Sequence, residues 1–135
     1  MNSPILALRA AIRAACAGDP ALGALMDTAI HDEVPRVALA VYATFGEAEL
    51  RDASTSTERG HEQDLAILVW AKRGSAASAL AASARLASLL DDAPLTLAGH
   101  RLVALAVTSV AADRDEDSAS VRVTIRLRAV TEVLP

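Results

Sequence analysis

The sequence predicts an α+β fold, a mainly antiparallel four-stranded sheet packed against two main helices. Two alanine-rich segments place apolar residues at helical spacing, and four further segments have the alternating or continuously apolar composition of strands. These follow the order helix, strand, strand, helix, strand, strand, with hairpin-like connections that favour antiparallel pairing and a two-layer architecture. At 135 residues the chain has the size of one domain. A single domain over residues 1–135, without an internal linker, is therefore expected.

Ser3-Pro4 reads as an N-cap followed by a first-turn proline, and Ile5, Leu8, Ile12 and Cys16 recur at helical spacing up to a stop at Gly18. Asp19-Pro20 repeats the signal, so residues 21–28 read as a short second helix or a single turn. Residues 31–35 read as a connector. Residues 37–45 are the first predicted strand, with Val37, Leu39, Val41, Ala43 and Phe45 on one face. The hydrophilic stretch 46–63 is expected to be a long exposed loop or a hairpin tip, because it offers little to bury against its ordering entropy.

Residues 64–71 form the second predicted strand. Ser75 can cap a helix running to about Leu90, whose core stripe is Ala76, Ala79, Leu80, Ser83, Leu86, Ala87 and Leu90. Pro94 cannot continue that helix, and Ala98-Gly99 supplies a turn before a strand over 101–110. An acidic turn, Asp113-Arg114-Asp115-Glu116-Asp117, leads into the clearest strand, 120–131, where Val121, Val123, Ile125 and Leu127 alternate with Arg122, Thr124, Arg126 and Arg128. Three of the strands look apolar on both faces. Helices on one side leave the other face open, and another copy of the chain is the simplest partner for it.

Composition narrows the function classes. The chain is 53% hydrophobic but only 2% aromatic, so its core rests on Ala, Val, Leu and Ile. A net charge of -4 with mixed signs argues against sequence-specific nucleic-acid binding. No segment has transmembrane length, and Arg9 and Arg13 interrupt the N-terminal apolar run that a secretory signal needs, so folding in a cytoplasm is expected and no membrane partner. The single cysteine, Cys16, reads as a small buried hydrophobe.

Ser54, Ser56, His61 and Asp64 supply the residue types of a nucleophilic triad, but without a nucleophile-elbow pattern they read as a solvated loop. His31, His61 and His100 lack metal-ligand spacing, and Asp113, Asp115 and Asp117 lack the glycine and glutamate of a calcium loop. No catalytic, metal or cofactor site is expected, and no cofactor. Trp70 reads as core at a strand end, with an interface anchor as the alternative. Arg122, Arg126 and Arg128 share one strand face, either a solvated surface or a polar contact surface.

Several phrases taken in order resemble the tail-terminator, or tail-completion, proteins of long-tailed phages and phage-like gene transfer agents. They are Ala7-Leu8-Arg9-Ala10-Ala11-Ile12, Gly18-Asp19-Pro20-Ala21-Leu22, Gly60-His61-Glu62, Leu68-Val69-Trp70, the run from Ala93 to Leu102, and Arg126-Leu127-Arg128-Ala129-Val130-Thr131-Glu132. The resemblance spans nearly the whole chain. It implies a structural assembly protein, not an enzyme: a homo-oligomeric, typically hexameric ring that caps the head-proximal end of a tail tube. Its implied partners are the major tail tube protein and a head–tail connector or stopper, with DNA passing through the ring. Its implied location is the neck of a virion or phage-like particle assembled in a bacterial cytoplasm. In such a ring Glu58, Arg59 and His61 of the polar segment and Arg122, Arg126 and Arg128 are the expected contact residues. The alternative is a small soluble enzyme or ligand-binding module using the 46–64 segment.

Overall fold

The computed structural model describes residues 3–135. Helix α1 (Pro4–Ala17) begins where the Ser3 hydroxyl accepts the Leu6 N–H, and Gly18 closes it by donating to the Ala14 carbonyl. Helix α2 (Pro20–Gly23) is one turn capped by Asp19, the shorter of the two forms expected for 21–28. Helix α3 (Ala76–Leu90) follows a turn at Gly74, whose φ of 90° suits a residue without a side chain. The strands are β1 (Ile30–His31), β2 (Val41–Asp52), β3 (Gly60–Ala71), β4 (His100–Arg114) and β5 (Val121–Val133).

They form one five-stranded sheet in the order β1-β2-β3-β5-β4. Every pairing is antiparallel except β1 with β2, which is parallel. The α+β class and the mainly antiparallel sheet are as expected. The four-stranded, two-helix form is corrected by the short β1, which begins one residue before the segment read as a connector, and by α2.

Strand boundaries shift for a common reason: pairing, more than hydropathy, decides where a strand runs. Val41 is the first β2 residue with a β3 partner, Ala71, and apolar Val37 lies outside the ladder, 71% exposed. The residues from Ala48 to Asp52 each have a partner between Leu65 and His61, after a bulge between Phe45 and Ala48. The expected long loop 46–63 therefore shrinks to a hairpin tip at 53–59. In the same way β4 runs on to Arg114, paired to Val121.

Alanine in α3 permits a close approach to β3, β4 and β5. Ala79, Ala82, Ser83, Leu86 and Leu90 are buried there, whereas Leu80 lies on the outer shoulder, 50% exposed, and Ser75 makes no side-chain cap bond. Beside α3, α1 places the Arg9 and Arg13 guanidiniums over the Phe45 ring at 4.9 and 5.0 Å. One hydrophobic cluster joins these helices to Leu65, Ile67 and Val69 of β3 and to Val123, Ile125 and Leu127 of β5.

The opposite sheet face carries no helix among the described residues, and it is less uniformly apolar than the sequence suggested. It alternates with the core positions and mixes Leu68, Ala106 and Ala111 with Asp64 and Trp70 of β3 and the arginines of β5. Trp70 is thus outside the core. Its indole N–H donates to Thr44 Oγ1 at 3.0 Å, and Arg122 lies over its ring at 5.7 Å.

Candidate interaction surface

The period of a strand places Arg122, Arg126 and Arg128 together on the open face, as expected. Each meets a carboxylate from another strand: Asp113 of β4 at 3.0 Å, Glu47 of β2 at 2.7 Å and Glu62 of β3 at 2.7 Å, respectively. Arg51 of β2 adds Glu49 at 3.3 Å, Glu62 at 3.5 Å and Asp64 at 2.5 Å. Its hydrogen bond to Asp64, then that to Glu49, raises the guanidinium pKa, so Arg51 stays cationic throughout the accessible pH range. The arginine side chains of β5 are 45 to 52% exposed, so each pair contributes little to folding. The surface is a mosaic of both signs, four arginines among five carboxylates, rather than a basic stripe that would track phosphates.

Sequence reasoning found the arginines and missed their partners. Glu49 and Arg51 alternate on β2, and Glu62 and Asp64 alternate on β3, but only the hairpin register sets Arg51 opposite Glu62 and Glu49 opposite Asp64.

The hairpin tip at 53–59 is built from its own side chains. Ser54 donates through Oγ to Asp52 at 2.6 Å and accepts the Gly60 N–H at 3.2 Å, while Thr55 Oγ1 accepts the Glu58 N–H at 3.1 Å. The Ser54 hydroxyl, joined by the Ser54 N–H, holds the Asp52 carboxyl below its ordinary pKa. A Cβ on Gly60 would sit 3.2 Å from the Thr131 carbonyl oxygen and 3.3 Å from that of Ala53, which keeps this entry to β3 free of a side chain. Glu58 lies 4.0 Å from Arg101, which is ion-paired to Glu132. A hydrogen bond to Glu132 raises the Glu58 pKa, and Arg101 lowers that of Glu132. Arg59 is exposed, and its carbonyl accepts the Val133 N–H at 2.9 Å.

His61 is half-buried and lines one surface hollow with Glu58 and Arg59. It shares the parity of buried Gln63 and Leu65, and its Nδ1 is buried without a hydrogen-bond partner among the described residues. The triad residues are not assembled either. His61 and Asp64 fall on opposite faces of β3, Ser54 is held by Asp52, and Asp64 is held by Arg51.

The other histidines stand apart. His31 pairs with Asp27 at 3.0 Å, and His100 Nδ1 contacts the Ala98 carbonyl at 3.1 Å. Among the described residues no group of three or more His, Cys, Asp or Glu is placed to hold a metal. The acidic turn closes on itself, with Ser118 Oγ donating to Asp115 at 2.6 Å. Burial pushes the Cys16 thiol up to about 11, so it stays protonated and unreactive at neutral pH.

A family described as tail completion protein gp17 matches residues 10–132. A chain in a solved structure described as the virion of a native gene transfer agent particle is similar in fold, with a TM-score of 0.87 and 34% sequence identity. The match covers 98% of this chain and 99% of that one. No curated protein matches.

Proposed function

The chain belongs to the tail completion protein gp17 family, and on that premise we propose that its copies form a hexameric ring capping the head-proximal end of a phage-like tail tube. The ring joins the tube to the head connector, and DNA passes through its centre. The role is structural rather than enzymatic, and its location is the tail of a phage-like particle. One tail-completion domain spans residues 1–135.

The observation that carries this reading is the end-to-end similarity to a chain of the gene transfer agent virion. A sheet face whose arginines are all paired with carboxylates adds support, because a surface beside passing DNA must not trap phosphates. Arg122, Arg126 and Arg128 are assigned to polar contacts within the assembly, and Glu58 and Arg59 at the hairpin tip to the tube or connector. His61 supports that tip from beneath.

Incubating gold-labelled protein with purified tail tubes tests the reading by electron microscopy. Label at a single end of each tube, with growth arrested at that end, is the expected result. Label along the tube walls, or none, would overturn it.

A further inference from the structure

An open sheet has two edges, each with unpaired backbone groups that invite another strand. Here β4 forms one edge, and β2 forms the other wherever β1 does not cover it. Half of the β4 edge is sealed from within. The Leu105 carbonyl accepts the Asp92 N–H at 2.8 Å, and the Val107 N–H donates to Asp91 Oδ1 at 2.9 Å.

Beyond the bulge between Val107 and Ser109 the alternation shifts by one residue, and the outward backbone groups fall on Val110, Ala112 and Arg114. None of these three has a partner beyond the strand ladder among the described residues. On β2, Val41 shows the outward phase, since its carbonyl accepts the Asp27 N–H at 3.3 Å. Past the Phe45/Ala48 bulge that phase falls on Ala48, Leu50 and Asp52, which likewise have no outside partner among the described residues.

We propose that copies of this chain join head to tail by edge pairing, with the Val110–Arg114 segment of one β4 adding antiparallel to the Ala48–Asp52 segment of the next copy's β2. The proposal rests on the ring reading and names the contact that builds the ring. Three features of the molecule select a second copy as the occupant. The two open segments are equal in length and present the same number of outward residues.

Their polarity also matches. β2 and β4 run in opposite directions in one sheet, so placing β4 beside the next β2 in a continuous sheet is antiparallel. The segments lie at opposite ends of the sheet, which staggers successive copies along the strands, as a closed sheet with tilted strands requires.

The third feature is apolar. Val110 is 50% exposed and Leu50 is 36% exposed, both on the helix side of the sheet beyond the helices' cover. The register that sets Val110 opposite Leu50 and Ala112 opposite Ala48 covers these side chains mutually. The same register sets Asp113 across from Glu47, and each of these carboxylates already has its own arginine, Arg122 and Arg126 respectively. Because the two edges differ, the contact is heterologous and continues from copy to copy instead of stopping at a dimer, which is the kind of contact a ring requires.

Cysteine cross-linking tests the pairing. Ala112→Cys and Ala48→Cys chains, mixed and oxidised under assembly conditions, should give a covalent dimer that neither variant gives alone. Ala112→Pro provides the second arm: its ring replaces an outward N–H, so the monomer should keep the wild-type circular dichroism and melting profile while losing oligomer and tube capping. A wild-type ring without the mixed cross-link, a self-cross-link of Ala112→Cys, or a ring-forming Ala112→Pro would overturn edge pairing while leaving the ring reading standing. A wild-type chain that stays monomeric even on tubes would overturn both.

Discussion

The two faces of β5 use one backbone for opposite purposes. Toward the helices, Val121, Val123, Ile125, Leu127 and Ala129 are at most 6% exposed. Toward solvent, Arg122, Arg126 and Arg128 stand in ion pairs that water screens. The first face supplies the burial that folds the chain, and the second keeps a broad sheet surface hydrated and mixed in charge. Burial and surface charge are thereby separated within a single strand, so a substitution on the charged face leaves the core intact.

Substitutions on each face should break that separation unequally. Ile125→Ala removes a side chain with 0% exposure from the centre of the core. It should cost about 2–5 kcal/mol, read as a lower urea midpoint at unchanged slope.

Between the extremes lies Asp19, which caps α2 and binds Arg85 of α3 at 2.6 and 2.8 Å. The hydrogen bond to Arg85 holds its folded-state pKa below the ordinary carboxylate value. Its contribution is therefore present above the unfolded pKa of about 3.9 and is lost as pH falls through the lower folded value. Asp19→Asn should lower the urea midpoint at neutral pH, and the gap from wild type should narrow on acidification. A gap independent of pH would assign the effect to the cap geometry alone.

Arg126→Gln should be the mildest, changing stability by less than about 1 kcal/mol at low salt and by less still at high salt. A loss as large as that of Ile125→Ala would show that the open face also holds the fold together, contradicting the separation.

The same contrast explains what the sequence made legible. β5 was readable because its period-2 alternation reports burial on one face only, and α1 because Ser3-Pro4 and Gly18 mark both of its ends. The second half of β2 was not readable. Glu47, Glu49, Arg51 and Asp52 bury little and hold their place through cross-strand partners whose register is set elsewhere in the chain.

Conversely, Val37 looked like strand and is not, because β3 ends before it could pair. The arginine face was legible, and the start of β3 at Gly60 was not: Gly60 to Gln63 look like loop and are held in the strand by partners on β5 and β2. The run from Asp91 to Leu102 read as a helix stop and a turn. Its two aspartates prove also to seal half of the β4 edge, a role that appears only when the strand lies beside them.

Cryo-electron microscopy of the capped tube end tests the central claim most directly. The account predicts a closed sixfold ring in which Val110–Arg114 of each copy lies hydrogen-bonded beside Ala48–Asp52 of the next. An unclosed or differently numbered assembly, or a ring whose β2 and β4 edges both face solvent, would contradict it.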